Sequence, residues 1–180
     1  GGKTAINHEL GKNLIGTFHQ PLAVLCDSAF FATLAPEEMK GGLSEVIKYG
    51  VIMDTPLFEY LEGGAYDYEK IVRMCCRDKA SVVARDEREG DLRRILNFGH
   101  TLGHALEKCM DFRIHHGQAV ALGMLFATWL SHDMGLLADE DRRRIVALIE
   151  RHEIVPSSLE LPDSEAIGQA MAVDKKALKD

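Results

Sequence analysis

The sequence predicts a mainly α-helical domain, a helical bundle, preceded by a short β-containing segment. Three observations carry that prediction. From Pro36 onward, apolar residues recur at helical spacing in segments joined by short connections. The stretch from Ala119 to Leu130 is apolar nearly all round, as the central helix of a bundle would be. The first 27 residues read differently: Gly1, Gly2, Gly11 and Gly16 are followed by the apolar run Leu22 to Cys26.

That run lies between Pro21 and Asp27 and fits a buried strand. Residues 1–34 therefore read as the tail of an α/β domain, and residues 35–180 as the helical domain. The chain opens on Gly1-Gly2-Lys3-Thr4 without a methionine, as expected of a piece of a longer protein. Pro36-Glu37-Glu38 starts the first helix, because proline is tolerated there and carboxylates favour the positive helix end. Asp54-Thr55-Pro56 begins a short helix that Gly63-Gly64 closes. A longer one runs from Tyr68 to about Arg85, with Ile71, Val72, Cys75, Val82 and Val83 as apolar positions. The next spans Asn97 to Cys109, and another spans His116 to Met134, ended by Gly135. Asp139 to Glu153 and Asp163 to Val173 complete the set.

Composition narrows the function. Apolar residues make up 46% of the 180, enough for a good core. The net charge of −7 argues against nucleic acid or an anionic membrane as the main partner. Cys26, Cys75, Cys76 and Cys109 form no C-x-x-C pair, which points to a reducing compartment and away from a thiolate zinc site. The longest apolar stretch is too short to span a bilayer. A soluble, cytoplasmic protein is expected.

Three groups of residues could carry chemistry. His100 and His104 stand four apart on one helix face, flanked by Gly99 and Gly103, each of which costs a helix about 1 kcal/mol against alanine. His115-His116 follow after a connection at 110–115, and a third imidazole beside two others suits zinc. Spacing alone favours His100 with His104 as the ligand pair, and histidines with only a structural role are the plain alternative. Glu45 and Lys48 share a face of the first helix within an apolar run, where a buried charge needs a partner or a metal; a solvated surface pair is the alternative. Lys3, Lys12, Lys79 and Arg93 form a scattered basic set, each of which could also be ordinary surface charge. Gly1-Gly2-Lys3-Thr4 looks like the end of a phosphate-binding loop, but the glycine and strand that motif requires upstream are not in the sequence.

Taken in order, these pieces resemble a known family. Gly2-Lys3-Thr4-Ala5, Gly11-Lys12-Asn13-Leu14-Ile15-Gly16, Gln20-Pro21 and Glu45-Val46-Ile47-Lys48-Tyr49-Gly50 come first. Asp86-Glu87-Arg88, then Arg93 and the run Ile95 to Ala105, His116-Gly117 and Asp174-Lys175-Lys176 follow. The series is similar to the metal-binding, C-terminal part of the 3-dehydroquinate synthase family of sugar phosphate cyclases, and it runs across essentially the whole chain.

The resemblance implies a set of roles. Glu45, His100 and His116 would be the zinc ligands, with Co2+ as a possible substitute, and His104 would face substrate instead. Lys48, Lys79, Arg93, Asn97 and His104 would contact substrate. Lys3, Lys12, Asn13 and the segment Phe30-Phe31-Ala32-Thr33 would reach NAD. The activity implied is NAD- and zinc-dependent closure of a seven-carbon keto-acid phosphate with loss of phosphate. The partners implied are a small sugar-acid phosphate and a second copy in a homodimer. Residues 1–34 would end a nucleotide-binding domain, and the chain alone would be inactive. One departure stands out: Gln118 occupies a position where the family usually has glutamate. If that group orients His116, its lost charge would weaken the metal site. Rival readings are another cyclase such as 2-deoxy-scyllo-inosose synthase, an iron-dependent alcohol dehydrogenase, which Glu45 argues against, and a non-catalytic helical module.

Overall fold

A computed structural model describes residues 2–9 and 11–176, with only the backbone at residues 7, 11–14 and 173–176. Two antiparallel strands, β1 (Lys3–His8) and β2 (Gly11–Phe18), form a hairpin with Lys3 opposite Phe18 and Ile6 opposite Ile15. A 3₁₀ helix (Ser28–Thr33) leads into seven α-helices: α1 (Pro36–Ile52), α2 (Thr55–Glu62), α3 (Tyr68–Arg85), α4 (His100–Cys109), α5 (His116–Asp133), α6 (Asp139–Arg151) and α7 (Ser164–Lys176). A second 3₁₀ helix (Leu92–Asn97) precedes α4. The mainly helical architecture is as the sequence predicts.

Local chemistry explains most boundaries. Proline occupies the first turn of both α1 and α2. The Asp54 carboxylate accepts from the Leu57 amide at 3.1 Å to open α2, and Asp67 accepts from Glu69 and Lys70 to open α3. The core is built where α1, α2, α5 and α6 meet: Ile47, Leu57, Leu61, Val120, Met124, Leu148 and Ile149 are all essentially inaccessible. A smaller cluster of Leu106, Ile114 and Ala119 joins α4 to α5, with Ile167 of α7 packed against it.

Three expectations are corrected. No strand forms at Leu22 to Cys26; Leu22, Val24 and Leu25 are exposed. A strand needs a neighbour for its backbone groups, and the sheet among the described residues is the β1–β2 hairpin alone. The histidine helix starts at His100, not Asn97, because Gly99 takes a left-handed φ of 78° and breaks the helical path. Helix α5 is central, but it is not buried all round. Ala119, Val120, Ala121, Gly123 and Met124 face inward, while Phe126, Trp129 and Leu130 are exposed.

The hairpin is tied to the helical body. Lys3 pairs with Glu89, and the Gln20 amide donates to Glu87 at 3.0 Å, both in the connection between α3 and α4. That connection is itself braced by Asp86, whose carboxylate accepts from the amides of Gly90, Asp91 and Arg93.

Candidate metal centre

Glycines let three helices approach closely enough to share a site. A Cβ at Gly117 would lie 2.2 Å from the Gly41 Cα, so α5 touches the backbone of α1 there. A Cβ at Gly123 would lie 1.8 Å from the Gly99 carbonyl oxygen, so α5 also lies directly against the start of α4. Glu45 from the middle of α1, His100 at the start of α4 and His116 at the start of α5 then converge. One ligand atom from each lies within 4.8 Å of the others.

The geometry within this trio is specific. The Nε2 atoms of His100 and His116 both stand 3.6 Å from Glu45 Oε1. That is too long for hydrogen bonds, and Glu45 Oε1 is buried with no hydrogen-bond partner. The far ring nitrogens are occupied. His100 Nδ1 lies 3.2 Å from the Phe98 carbonyl and His116 Nδ1 lies 3.3 Å from Glu107 Oε1. A carbonyl and a carboxylate only accept, so each Nδ1 carries a proton, and in the neutral ring each Nε2 presents its lone pair on the side of Glu45. An orphaned carboxylate oxygen facing two imidazole lone pairs is electrostatically incomplete without a cation. The donor set of one oxygen and two nitrogens fits zinc with coordination positions left for substrate.

The titration behaviour follows from the packing. Burial would raise the Glu45 carboxyl, but His116 in its protonated form, Lys48 and protonated His100 outweigh it and hold it at about 2. Lys48, 3% exposed, donates to Glu45 Oε2 at 2.5 Å. Burial lowers the Lys48 ammonium from its usual range even though Glu45 favours its charge, and the positive Lys79 pushes in the same direction as burial. Burial also lowers His100, whereas Glu45 raises His116.

The remaining expected residues fall into three places. His104 is exposed beside the trio, its ring 5.4 Å from His100 and 6.4 Å from His116, and it is not one of the three converging groups. A simple helical hairpin would put His116 nearer His104 than His100, yet its ring is 5.3 Å from His100. Arg93 is buried and donates to the Glu87 carbonyl at 2.5 Å. Asn97 donates to Glu89 Oε1 at 2.9 Å, and Glu89 also pairs with Lys3. Lys79 is exposed on α3. Phe30, Phe31, Ala32 and Thr33 lie in the first 3₁₀ helix, with Phe31 edge-on to Tyr68 and Phe30 exposed. The side chains of Lys12 and Asn13 lie outside the described residues, although their backbone belongs to β2.

Two acids had not been singled out from the sequence. Glu89 joins Lys3 to Asn97, and Glu107 stands behind His116. Glu107 carried a usable signal, a charge inside the apolar face of α4, the same signal that drew attention to Glu45. The expected importance of Gln118 for His116 is corrected. The Gln118 side chain accepts from the His115 amide at 3.3 Å in a capping box, so it holds the start of α5 instead.

Comparison with known proteins covers nearly the whole chain. Residues 42–177 match the family 3-dehydroquinate synthase C-terminal, and residues 1–41 match 3-dehydroquinate synthase N-terminal. A 3-dehydroquinate synthase of Acidithiobacillus ferrooxidans is 45% identical over 98% of this chain and 51% of its own length. One from a Synechococcus species is 46% identical over 98% of this chain and 51% of its own. The chain thus spans about half the length of the curated relatives it matches. Among solved structures, the 2-epi-5-epi-valiolone synthase ValA of Streptomyces hygroscopicus subsp. jinggangensis, with NAD+ and Zn2+ bound, superposes with a TM-score of 0.88. It is 27% identical, over 99% of this chain and 52% of its own. A 2-deoxy-scyllo-inosose synthase complexed with carbaglucose-6-phosphate, NAD+ and Co2+ gives a TM-score of 0.80 at 25% identity, over 95% of this chain and 49% of its own.

Proposed function

The chain belongs to the 3-dehydroquinate synthase family, and on that premise we propose that it is the metal- and substrate-binding part of such an enzyme. The reaction is conversion of 3-deoxy-arabino-heptulosonate 7-phosphate to 3-dehydroquinate and phosphate, a carbon–oxygen lyase step with ring closure. The observation that carries this reading is the trio Glu45, His100 and His116 around an unsatisfied carboxylate oxygen. Identity near 45% with the dehydroquinate synthases, against 25–27% with the other cyclases, supports this substrate over theirs.

Glu45, His100 and His116 are the proposed ligands of zinc, or of Co2+ in its place. Zinc, when bound, supplies Lewis-acid polarisation of a substrate oxygen, and NAD supplies a temporary home for a hydride. The chain's own residues do the rest. Lys48, Lys79 and Arg93 bring positive charge to an anionic substrate, the arginine through its planar fork. Asn97, placed by Glu89, offers a neutral hydrogen-bonding group. His104, exposed beside the ligands, is free to hold or pass a proton at substrate. Lys3, Lys12, Asn13 and Phe30-Phe31-Ala32-Thr33 are the proposed contacts to NAD. Much of the rate enhancement is then orientation of one molecule against fixed charges. The assembly proposed for the whole protein is a cytoplasmic homodimer, on the family resemblance. Among the described residues, no helix is long and apolar enough to cross a membrane.

The test is genetic and chemical. The chain, joined behind the N-terminal half of the Acidithiobacillus relative, should restore growth without aromatic amino acids to a strain lacking 3-dehydroquinate synthase. Purified, it should release phosphate from the heptulosonate phosphate with NAD and zinc. A folded, zinc-loaded fusion that releases no phosphate contradicts the proposal.

A further inference from the structure

The geometry points to Glu107 as the positioning residue of the metal centre: its carboxylate, not Gln118, fixes the ring of His116 so that Nε2 faces Glu45. The inference rests on the proposed ligand set and adds to it a residue that touches neither metal nor substrate.

Glu107 lies on α4, seven residues after His100 and three after His104. It is 8% exposed, a depth at which a carboxylate is costly unless something compensates its charge. Its Oε1 meets His116 Nδ1 at 3.3 Å. The same residue shapes the chain that delivers His116. The Phe112 amide donates to the Glu107 carbonyl at 2.7 Å, closing a turn in which Asp111 and Phe112 both take positive φ, 49° and 57°. Backbone and side chain of one residue thus set both where α5 begins and which way its first ring faces.

An imidazole bound to a metal through Nε2 needs its proton on Nδ1 and a fixed ring plane. A carboxylate on Nδ1 supplies both and makes the ring more electron-rich. The two ligand histidines are served differently. His100 has a neutral backbone carbonyl at Nδ1, and His116 has a charged acid. His116 is also the more exposed of the two, with 49% of its side chain accessible against 13% for His100. The ring with less packing to hold it is therefore the one given the charged partner. Gln118, the neighbour nearer in sequence, is committed to the amide of His115.

The test uses the full chain carrying Glu107→Gln, Glu107→Asp, Gln118→Ala or no change. Zinc affinity is measured by competition with a coloured chelator, and the His116 ring by long-range 1H–15N NMR. Circular dichroism and thermal melts identify variants that still fold. Glu107→Gln is expected to weaken zinc about 10- to 100-fold and to let the His116 proton exchange between Nδ1 and Nε2 in the metal-free chain. Glu107→Asp should recover part of the affinity. Gln118→Ala should lower the melting temperature and leave zinc affinity within about threefold. Glu107→Gln with unchanged zinc affinity and an unchanged Nδ1–H ring overturns the role of Glu107 while leaving the ligand set standing. An unmodified chain that binds no zinc overturns the ligand set, and this inference with it.

Discussion

Glu45 keeps its charge in a half-buried position with Lys48 donating to Oε2, yet its Oε1, beside two imidazoles, has no hydrogen-bond donor. That imbalance, not the number of histidines nearby, separates the three proposed ligands from His104. Each proposed ligand ring has its far nitrogen fixed by an acceptor and its near nitrogen turned to Glu45. His104→Ala should therefore retain zinc and lose catalytic rate by about 100-fold or more in the whole enzyme, if it moves a proton; zinc analysis alongside a phosphate-release assay checks both halves. Spacing alone could not make this distinction, because His100 and His104 share a helix face and His116 is remote in sequence. The ordered resemblance supplied the trio, and the structure brings it together. Glu107 went unread because a single acid in an apolar helix face says that a partner exists without saying which.

Helix approach sets the site at the next scale. Gly117 on α5 meets the backbone of Gly41 on α1, next to His116, the proposed ligand on α5, and four residues before Glu45 on α1. Gly117→Ala must push the two helices apart, at an expected cost of about 1–3 kcal/mol in stability and with a loss of zinc affinity that a surface glycine such as Gly168, where an added Cβ meets nothing, would not share on replacement by alanine. Denaturant unfolding and zinc competition on both variants measure this. The connection after α3 makes a pH prediction. Three backbone amides, Arg93 first, then Asp91 and Gly90, hold the Asp86 carboxyl down to about 2 from an ordinary 3.8. A depressed carboxyl stabilises the fold above its unfolded value, so this contribution is constant above about pH 4 and is lost as pH falls from there toward 2. Hydrogen exchange at Gly90, Asp91 and Arg93 should rise over that window beyond the change in Asp86→Asn. Helix ends were legible where proline, aspartate or glycine marks them, as at Pro36, Asp54 and Gly135. The strand expected at Leu22 to Cys26 was not, because an apolar run states that it will be covered but not by what.

At the scale of the molecule, about half of each curated relative is matched, and the only sheet among the described residues is a two-stranded hairpin. Dinucleotide sites are built on larger parallel sheets with helix N-termini at the phosphates. The 180-residue chain supplied with NAD, zinc and substrate should accordingly release no measurable phosphate, while the fusion described above should. Zinc is a separate matter, since the three proposed ligands come from three helices of this one chain. Binding should tie α1, α4 and α5 together and raise the melting temperature as free zinc rises above its dissociation constant. The most direct test of that convergence is the zinc content of the full chain after loading and gel filtration, compared across single alanine variants. About one zinc per chain is expected in the unmodified protein and in His104→Ala, and close to none in Glu45→Ala, His100→Ala or His116→Ala. Zinc retained at full stoichiometry and affinity by Glu45→Ala, or lost in His104→Ala while His100→Ala keeps it, would contradict the account.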